Sequence, residues 1–283
     1  MEYTIVHDTS YYYAAAIHES YTVVHLQPTS DAHQFCTRFD LSVSPEVRVH
    51  NYIDRFSNNV QHFAILPAHQ ALTVRARSIV TTLRGSEPTL PVDATRPRLV
   101  EDKHVARLYD FLHESEFVQF DPAVDAFYAE IGKSPLALGE WCFEVCHAIH
   151  KGFRYDTAAT SVQSKVAEAL VHRSGVCQDF AHVMIAVLRR AGIPARYVSG
   201  YIFSGDNPVL GAEASHAWCE AYLPPYGWVG FDPTNDRLID ESFVKIGIGR
   251  DYRDVCPVRG VYKGSTVGAM SVNVAMDSLQ NQQ

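Results

Sequence analysis

The character of the sequence changes near residue 84, and this change limits the possible folds more than any other feature. Residues 1–83 contain segments rich in β-branched and aromatic residues, at 21–26, 46–52, 60–65 and 72–80, and several of these alternate between apolar and polar side chains. Polar turn residues separate them. This spacing is typical of a small antiparallel β-sandwich, so we expect residues 1–83 to form an N-terminal β domain.

Helical periodicity replaces the alternation after a proline-rich segment. Residues 84–98 carry three prolines and a glycine and are predicted to be a linker. Apolar residues then recur at helical spacing over 136–149 and 176–191. Strand-like segments follow at 195–203, 215–223 and 227–232. Helices followed by antiparallel strands predict an α+β domain over residues 99–283.

Composition and charge limit the functions open to the chain. Of its 283 residues, 47% are hydrophobic and 20% are charged, which is typical of a globular protein with a sizeable core. The net charge of −8 argues against nucleic-acid partners, because such binders usually present a basic face. Neither an apolar run of ~18 residues nor a basic secretory leader is visible. We therefore expect a cytoplasmic protein without membrane partners, whose six cysteines are free thiols.

A cysteine at the start of the helix predicted over 176–191 is the candidate nucleophile. Cys177 lies in the first turn, where unsatisfied backbone amides and the helix dipole favour an anionic thiolate. Gly175 is predicted to let the chain turn tightly and to leave space for a substrate carbonyl. The Cys177 amide would then be one donor of an oxyanion hole, whose second donor the sequence does not identify.

A histidine and an aspartate lie on two consecutive predicted strands after the helix, and these strands flank a turn. His216 begins one strand and Asp232 ends the next, on the far side of a turn at 223–227. Two strands folding back at this turn would bring both side chains close together, although direct opposition would need a short loop or a bulge. Cys219 faces away from His216 on its strand and is not expected to compete as a nucleophile. Cys177, His216 and Asp232 on three consecutive elements predict a thiol acyl-transfer site.

Two other polar residues of the cysteine-bearing helix have simpler explanations. Asp179 is expected to stabilise the first turn through the helix dipole and not to act as a catalytic acid. His182 is displaced around the helix from Cys177, so we expect it to have a supporting or structural role.

A possible metal site lies on the preceding helix. Cys142 and Cys146 are one helical turn apart, and His147 and His150 follow closely, which suggests a zinc hypothesis. Both cysteines fit the apolar face of their helix, and metal sites built from one helix alone are uncommon. A core role is therefore favoured, and no metal or cofactor is predicted.

Three motifs carry a resemblance to a known family. The segment Gly175–His182 (GVCQDFAH) resembles the cysteine motif of the transglutaminase-like superfamily in its bacterial branch. The segment at 215–218 (SHAW) resembles the histidine motif, and the segment at 231–234 (FDPT) resembles the aspartate motif. The similarity covers roughly residues 140–235, and residues 1–83 are similar, more loosely, to the N-terminal β domain of bacterial members.

The resemblance implies a papain-like α+β core preceded by the small β-sandwich. It implies that Cys177 is the nucleophile, that His216 is the general base and that Asp232 orients the histidine. It does not imply calcium, because the chain has no EF-hand loop or dense acidic run.

The expected function is thiol-dependent acyl transfer on a peptide or protein substrate through a thioester at Cys177. Water as the acceptor gives a cysteine peptidase or amidase, whereas an amine gives transglutamination. Family analogy favours hydrolysis, but the same residues serve both outcomes. The alternatives are a non-catalytic binding or scaffold protein of the same fold and acyl transfer like that of an arylamine N-acetyltransferase. The oligomeric state is left open.

Overall fold

The computed structural model describes residues 1–83, 85, 88–91, 93–94, 108–132, 137–159, 164–205, 209–211, 214–264 and 268–279. The predicted α+β class is confirmed, with an N-terminal β region ahead of helices and an antiparallel sheet. More than half of the predicted linker at 84–98 lies outside the described residues, so the linker stays a prediction.

The N-terminal β region is built around one long strand. Its strands are β1 (Glu2–Val24), β2 (Gln34–Ser44), β3 (His50–Ile53), β4 (Asn59–Ile65) and β5 (His69–Thr82), in the antiparallel order β2-β5-β1-β4-β3. The register of β1 against β5 shifts between Tyr12 and Ile17, and β4 pairs with β1 only beyond this shift. Phe63 of β4 and Val74 of β5 belong to one buried cluster, so the sheet folds over to enclose a core.

The end of the chain returns to complete this region. The strands β13 (Val258–Lys263) and β14 (Gly268–Ser278) both pair antiparallel with β1. The predicted division into domains at 1–83 and 99–283 does not include this pairing, because sequence pattern reveals a strand but not its partner.

Helices and a second antiparallel sheet form the middle of the chain. The elements are α1 (Pro122–Ile131), α2 (Leu138–Gly152), β6 (Arg154–Tyr155), α3 (Val166–His172), β7 (Ser174–Gly175), α4 (Cys177–Arg190), β8 (Ala195–Ile202), β9 (His216–Leu223), β10 (Gly227–Asp232), β11 (Arg237–Leu238), β12 (Phe243–Gly249) and α5 (Tyr252–Val255), with a 3-10 turn at Tyr109–Phe111. The strands of the second sheet have the order β11-β10-β9-β8-β12. The predicted strands near 195–203, 215–223 and 227–232 are confirmed.

Helix α4 is the central element of this region. Every residue from Cys177 to Arg189 is buried, because α4 packs against β9 and also against α1, α2 and α3. A helix enclosed on all sides is expected to be apolar around most of its circumference, as the run Val183–Leu188 is. The helix predicted over 176–191 is therefore confirmed, and its first residue is held by the main core of the protein.

Two side-chain amides join the N-terminal region to the second sheet. Strand β12 is the last strand in the order of that sheet, and its outer edge would otherwise expose unpaired backbone groups. The Gln34 side chain bonds both backbone groups of Lys245, at 2.7 and 2.8 Å. The Asn58 side chain does the same to Ile248, at 2.8 Å for both bonds. The amides thus act as partners for the edge of the sheet that carries the candidate site.

None of the helices in the described ranges combines the length and the apolar character needed to cross a membrane.

Candidate active site

Cys177 is the first residue of α4, and its position is fixed by the capping of that helix. The carboxylate of Asp179 accepts a hydrogen bond from the Val176 amide at 2.9 Å, which stabilises the first turn as predicted. The Cys177 amide has no carbonyl partner four residues earlier in a helix, so it can donate to a ligand. Cys177 is 9% exposed and therefore lies at the edge of the core.

The predicted reason for a glycine at 175 was incomplete. A Cβ atom at Gly175 would lie 2.6 Å from Oδ2 of Asp179 and 2.8 Å from its Cβ. The glycine is therefore required for the Asp179 carboxylate to reach the Val176 amide. The first turn of α4, and with it Cys177, depends on this close approach.

His216 and Asp232 meet at the edge of the second sheet. His216 is the first residue of β9 and Asp232 the last residue of β10, and Nε2 of the imidazole lies 2.8 Å from Oδ2 of the carboxylate. Both side chains are fully buried. The ladder places Phe231 opposite Cys219, so His216 and Asp232 are diagonal neighbours and not directly opposed.

The Asp232 carboxylate is satisfied by several donors. Oδ1 accepts from the backbone amides of Thr234 at 2.9 Å and Asn235 at 3.4 Å. Oδ2 accepts from Nδ2 of Asn235 at 2.8 Å in addition to His216. Burial alone would raise the pKa of Asp232, but the charge and hydrogen bond of His216, aided by the Asn235 and Thr234 donors, lower it below its ordinary value. Asp232 is therefore an anion at neutral pH.

The electrostatics of His216 follow from the same pairing. Burial would lower the pKa of His216, but the charge and hydrogen bond of Asp232, with a further contribution from Cys177, raise it to about 10. Nδ1 forms no hydrogen bond of ordinary geometry within the described residues, while the Cys177 thiol interacts with the same ring. Since Nε2 is held by Asp232, Nδ1 is the nitrogen available to the thiol. The structure thus brings together the three residues predicted from the sequence.

Gly211 borders the same nitrogen and was missed by the sequence reasoning. A Cβ atom at this position would lie 2.4 Å from Nδ1 of His216, and the glycine has a φ of +87°. Both facts favour glycine, since a side chain would enter the space beside Nδ1 and the backbone lies in the left-handed region. A glycine in the loop between two predicted strands was the only sequence signal.

His182 has the structural role that its position on α4 suggested. Its ring stacks on Phe117 with an interplanar angle of 3° and packs at an angle against Tyr197. Nε2 accepts a hydrogen bond from the Tyr252 amide at 3.1 Å. Burial lowers the pKa of His182 to about 4, so the ring is neutral near pH 7 and positions the start of α5.

The histidines of the zinc hypothesis bind the turn that follows Asp232. Nδ1 of His147 lies 2.6 Å from Oδ2 of Asp236, and Nδ1 of His150 donates to the Thr234 carbonyl at 3.0 Å. Within the described ranges no group of three or more potential ligands could hold a metal ion. Helix α2 therefore anchors the turn that carries the carboxylate.

Two of the other buried cysteines, Cys146 and Cys219, differ from Cys177 in their surroundings. Burial raises the pKa of the Cys146 and Cys219 thiols well above the ordinary value. Cys219 belongs to the core cluster beneath α4. Both thiols are fully enclosed and stay protonated near neutral pH, so neither resembles an activated nucleophile.

A buried cysteine, histidine and aspartate where a helix meets an antiparallel sheet define a Cys–His–Asp site on an α+β fold. The profile of the transglutaminase-like superfamily matches residues 126–233, which include all three. The profile of the bacterial transglutaminase-like N-terminal region matches residues 3–81. The chain belongs to the transglutaminase-like superfamily.

Two similar proteins match nearly the whole chain, and a third matches a short segment of it. An uncharacterised protein of Mycobacterium leprae is 33% identical over 282 residues, which cover 96% of each chain. A candidate cysteine protease from Cytophaga hutchinsonii has a crystal structure that matches 98% of this chain and 91% of its own, with a TM-score of 0.79 and 23% identity, and shows the shared fold. A protein-glutamine gamma-glutamyltransferase of Pseudomonas aeruginosa is 45% identical over 67 residues, which are 22% of this chain and 10% of that protein.

Proposed function

We propose that the protein is a thiol-dependent acyl-transfer enzyme that acts on amide groups of peptides or proteins. The observation that carries the proposal is the 2.8 Å bond between Nε2 of His216 and Oδ2 of Asp232, which leaves Nδ1 for the thiol of Cys177. A cationic imidazole beside Cys177 favours the thiolate through charge attraction, and the thiolate is the attacking form of cysteine.

The first half of the reaction forms a thioester. The Cys177 sulfur attacks the amide carbonyl carbon, and the resulting oxyanion is stabilised by the backbone amide of Cys177 at the start of α4. The His216 imidazolium donates its Nδ1 proton to the nitrogen of the leaving group, so that the C–N bond breaks and an amine or ammonia departs. Asp232 stabilises the imidazolium and fixes the ring orientation.

The second half transfers the acyl group. Neutral His216 accepts a proton from water or from a primary amine as that acceptor attacks the thioester. The C–S bond breaks, and the imidazolium and the Cys177 thiolate are restored. Water gives hydrolysis, which we favour by family analogy. An amine gives transglutamination, and the 67-residue similarity to a protein-glutamine gamma-glutamyltransferase supports this as the second outcome.

Turnover of glutamine-containing peptides tests the proposal. A peptide library is incubated with and without a labelled primary amine, and mass spectrometry measures cleavage, deamidation and amine incorporation. We expect turnover by the wild type and by Cys36→Ala, whose half-buried thiol lies in the N-terminal region, and no turnover by Cys177→Ala. Turnover that persists in Cys177→Ala would contradict the proposal.

The alternatives have their own outcomes in related experiments. Capture of a partner without any Cys177-dependent turnover would favour a binding or scaffold protein. Protection of Cys177 from alkylation by coenzyme A would favour acyl transfer of the arylamine N-acetyltransferase type. The cytoplasmic location, and the expectation of neither nucleic-acid nor membrane partners, stay predictions.

A further inference from the structure

Asn235 connects the carboxylate of the candidate site to a separate segment of the chain. Its Nδ2 donates to Oδ2 of Asp232 at 2.8 Å, the same oxygen that binds His216. The same side-chain amide bonds both backbone groups of Leu210: Oδ1 accepts from the Leu210 amide at 2.9 Å, and Nδ2 donates to its carbonyl at 3.2 Å. One side chain therefore ties two parts of the site together.

The segment held by Asn235 lies against the reactive side of His216. Gly211 directly follows Leu210, and its missing Cβ would be 2.4 Å from Nδ1 of the imidazole. The ring is thus fixed on one side by Asp232 through Nε2 and bordered on the other by Gly211 near Nδ1. Asn235 contacts both of these neighbours of the ring, directly or through the adjacent residue.

We propose that Asn235 is a positioning residue for acyl transfer, which holds the Asp232 carboxylate and the segment around Leu210 in one arrangement so that His216 presents Nδ1 to Cys177. The inference rests on the proposed function of these three residues. Without the Asn235 amide, Asp232 loses one of its donors, and Leu210 loses the side chain that ties it to the carboxylate.

The expected consequence is a weaker ion pair between Cys177 and His216. Among the described residues, the His216 ring on β9 and the buried Cys146 thiol on α2 interact with Asp232, and Cys177 on α4 faces the imidazole. His147 and His150 of α2 bond Asp236 and the Thr234 carbonyl in the same turn. Burial keeps Cys146 protonated, so it adds no charge beside Asp232. A hydrogen bond to a charged group is strong enough that its loss lowers the population of the arrangement that it holds by about tenfold.

The chain offers a matched control for the loss of such an amide. Asn58 makes the same set of bonds away from the site: to the Asp54 carboxylate at 2.8 Å and to both backbone groups of Ile248. Asn58→Ala therefore removes one carboxylate bond and two backbone bonds, as Asn235→Ala does. Asn235→Leu keeps nearly the side-chain shape of asparagine but can neither donate to Asp232 nor bond Leu210.

The experiment measures the rate of Cys177 alkylation by iodoacetamide from mildly acidic to mildly basic pH, with thermal unfolding as a check of the fold. We expect Asn235→Ala to react about tenfold more slowly than the wild type in mildly acidic solution, where the ion pair supplies the thiolate, and to converge with it in basic solution. Asn235→Leu should lose about as much. Asn58→Ala should keep the wild-type profile.

The outcomes separate this inference from the proposed function. An unchanged profile in Asn235→Leu, or an equal loss in Asn58→Ala, would overturn the role of Asn235. If wild-type Cys177 were no more reactive than the other thiols, the proposed function itself would fail. Because leucine is close to asparagine in shape, Asn235→Leu decides the question even if Asn235→Ala does not fold.

Discussion

Replacing Gly211 with alanine tests the geometry around His216 most sharply. The added Cβ would lie 2.4 Å from Nδ1, whereas ordinary contact begins at 3.4 Å, so the ring or the backbone must move by about 1 Å. A displacement of this size in a reacting group costs about a hundredfold in rate. The left-handed φ of +87° adds a loss of about 1 kcal/mol in the free energy of unfolding.

Gly192 supplies the control that separates these two effects. It has a φ of +78°, and a Cβ at this position would meet no atom within 4 Å. Gly192→Ala therefore carries the same backbone strain without a clash at the imidazole.

The assay is the rate of Cys177 alkylation in mildly acidic solution, together with thermal unfolding of both variants. We expect Gly211→Ala to lose more stability than Gly192→Ala, because it adds the clash to the same backbone strain, and we expect about a hundredfold slower alkylation in Gly211→Ala alone. A wild-type alkylation rate in Gly211→Ala would refute the arrangement of Nδ1 beside this segment. Equally slow alkylation in Gly192→Ala would assign the effect to stability.

Two further predictions concern stability. Asp232→Asn should lose about 3 kcal/mol in the free energy of unfolding, measured by denaturant unfolding. The loss should be greatest between about pH 4 and about pH 6.5. The lowered pKa of Asp232 stabilises the fold at pH values above the pKa of this residue in the unfolded chain, and the raised pKa of His216 stabilises the fold at pH values below the pKa of this residue in the unfolded chain. It should shrink as the pH rises through about 10 and His216 loses its proton in the wild type, and a pH-independent loss would contradict the charged pair. Gln34→Ala and Asn58→Ala should each lose about 1–3 kcal/mol in the free energy of unfolding. Gln34→Ala leaves the Lys245 amide unpaired, while the Lys245 carbonyl keeps its bond to the Thr29 amide, and Asn58→Ala leaves both backbone groups of Ile248 unpaired. Unchanged urea midpoints would show that water replaces these bonds.

The parts of the site that the sequence predicts are those that depend on short, local segments of the chain. Cys177 lies two residues after a glycine, at a helix start, and His216 and Asp232 lie at the ends of strands that flank one turn. Local pattern and spacing therefore suffice to bring them together. The class of the fold follows for the same reason, because strand and helix periodicities are local properties.

The parts that could not be predicted depend on contacts between distant segments. Asn235 lies only three residues after Asp232, yet its bonds to Leu210 depend on how a loop returns to the site. Gln34 reaches Lys245 across most of the chain, and a single polar residue in a strand-rich region gives no sign of such a partner. The pairing of β14 with β1 is likewise a property of the folded chain.

Competition among the six cysteines for a limiting amount of iodoacetamide tests the central claim most directly. Cys36 and Cys256 are more exposed than Cys177, which is 9% exposed, so exposure alone would direct the label to those two residues. An activated thiolate beside the His216 imidazolium should react first in spite of its burial, and mass spectrometry should find the first label at Cys177 in mildly acidic solution. Labelling that follows exposure, with Cys177 behind Cys36 and Cys256, would contradict the account.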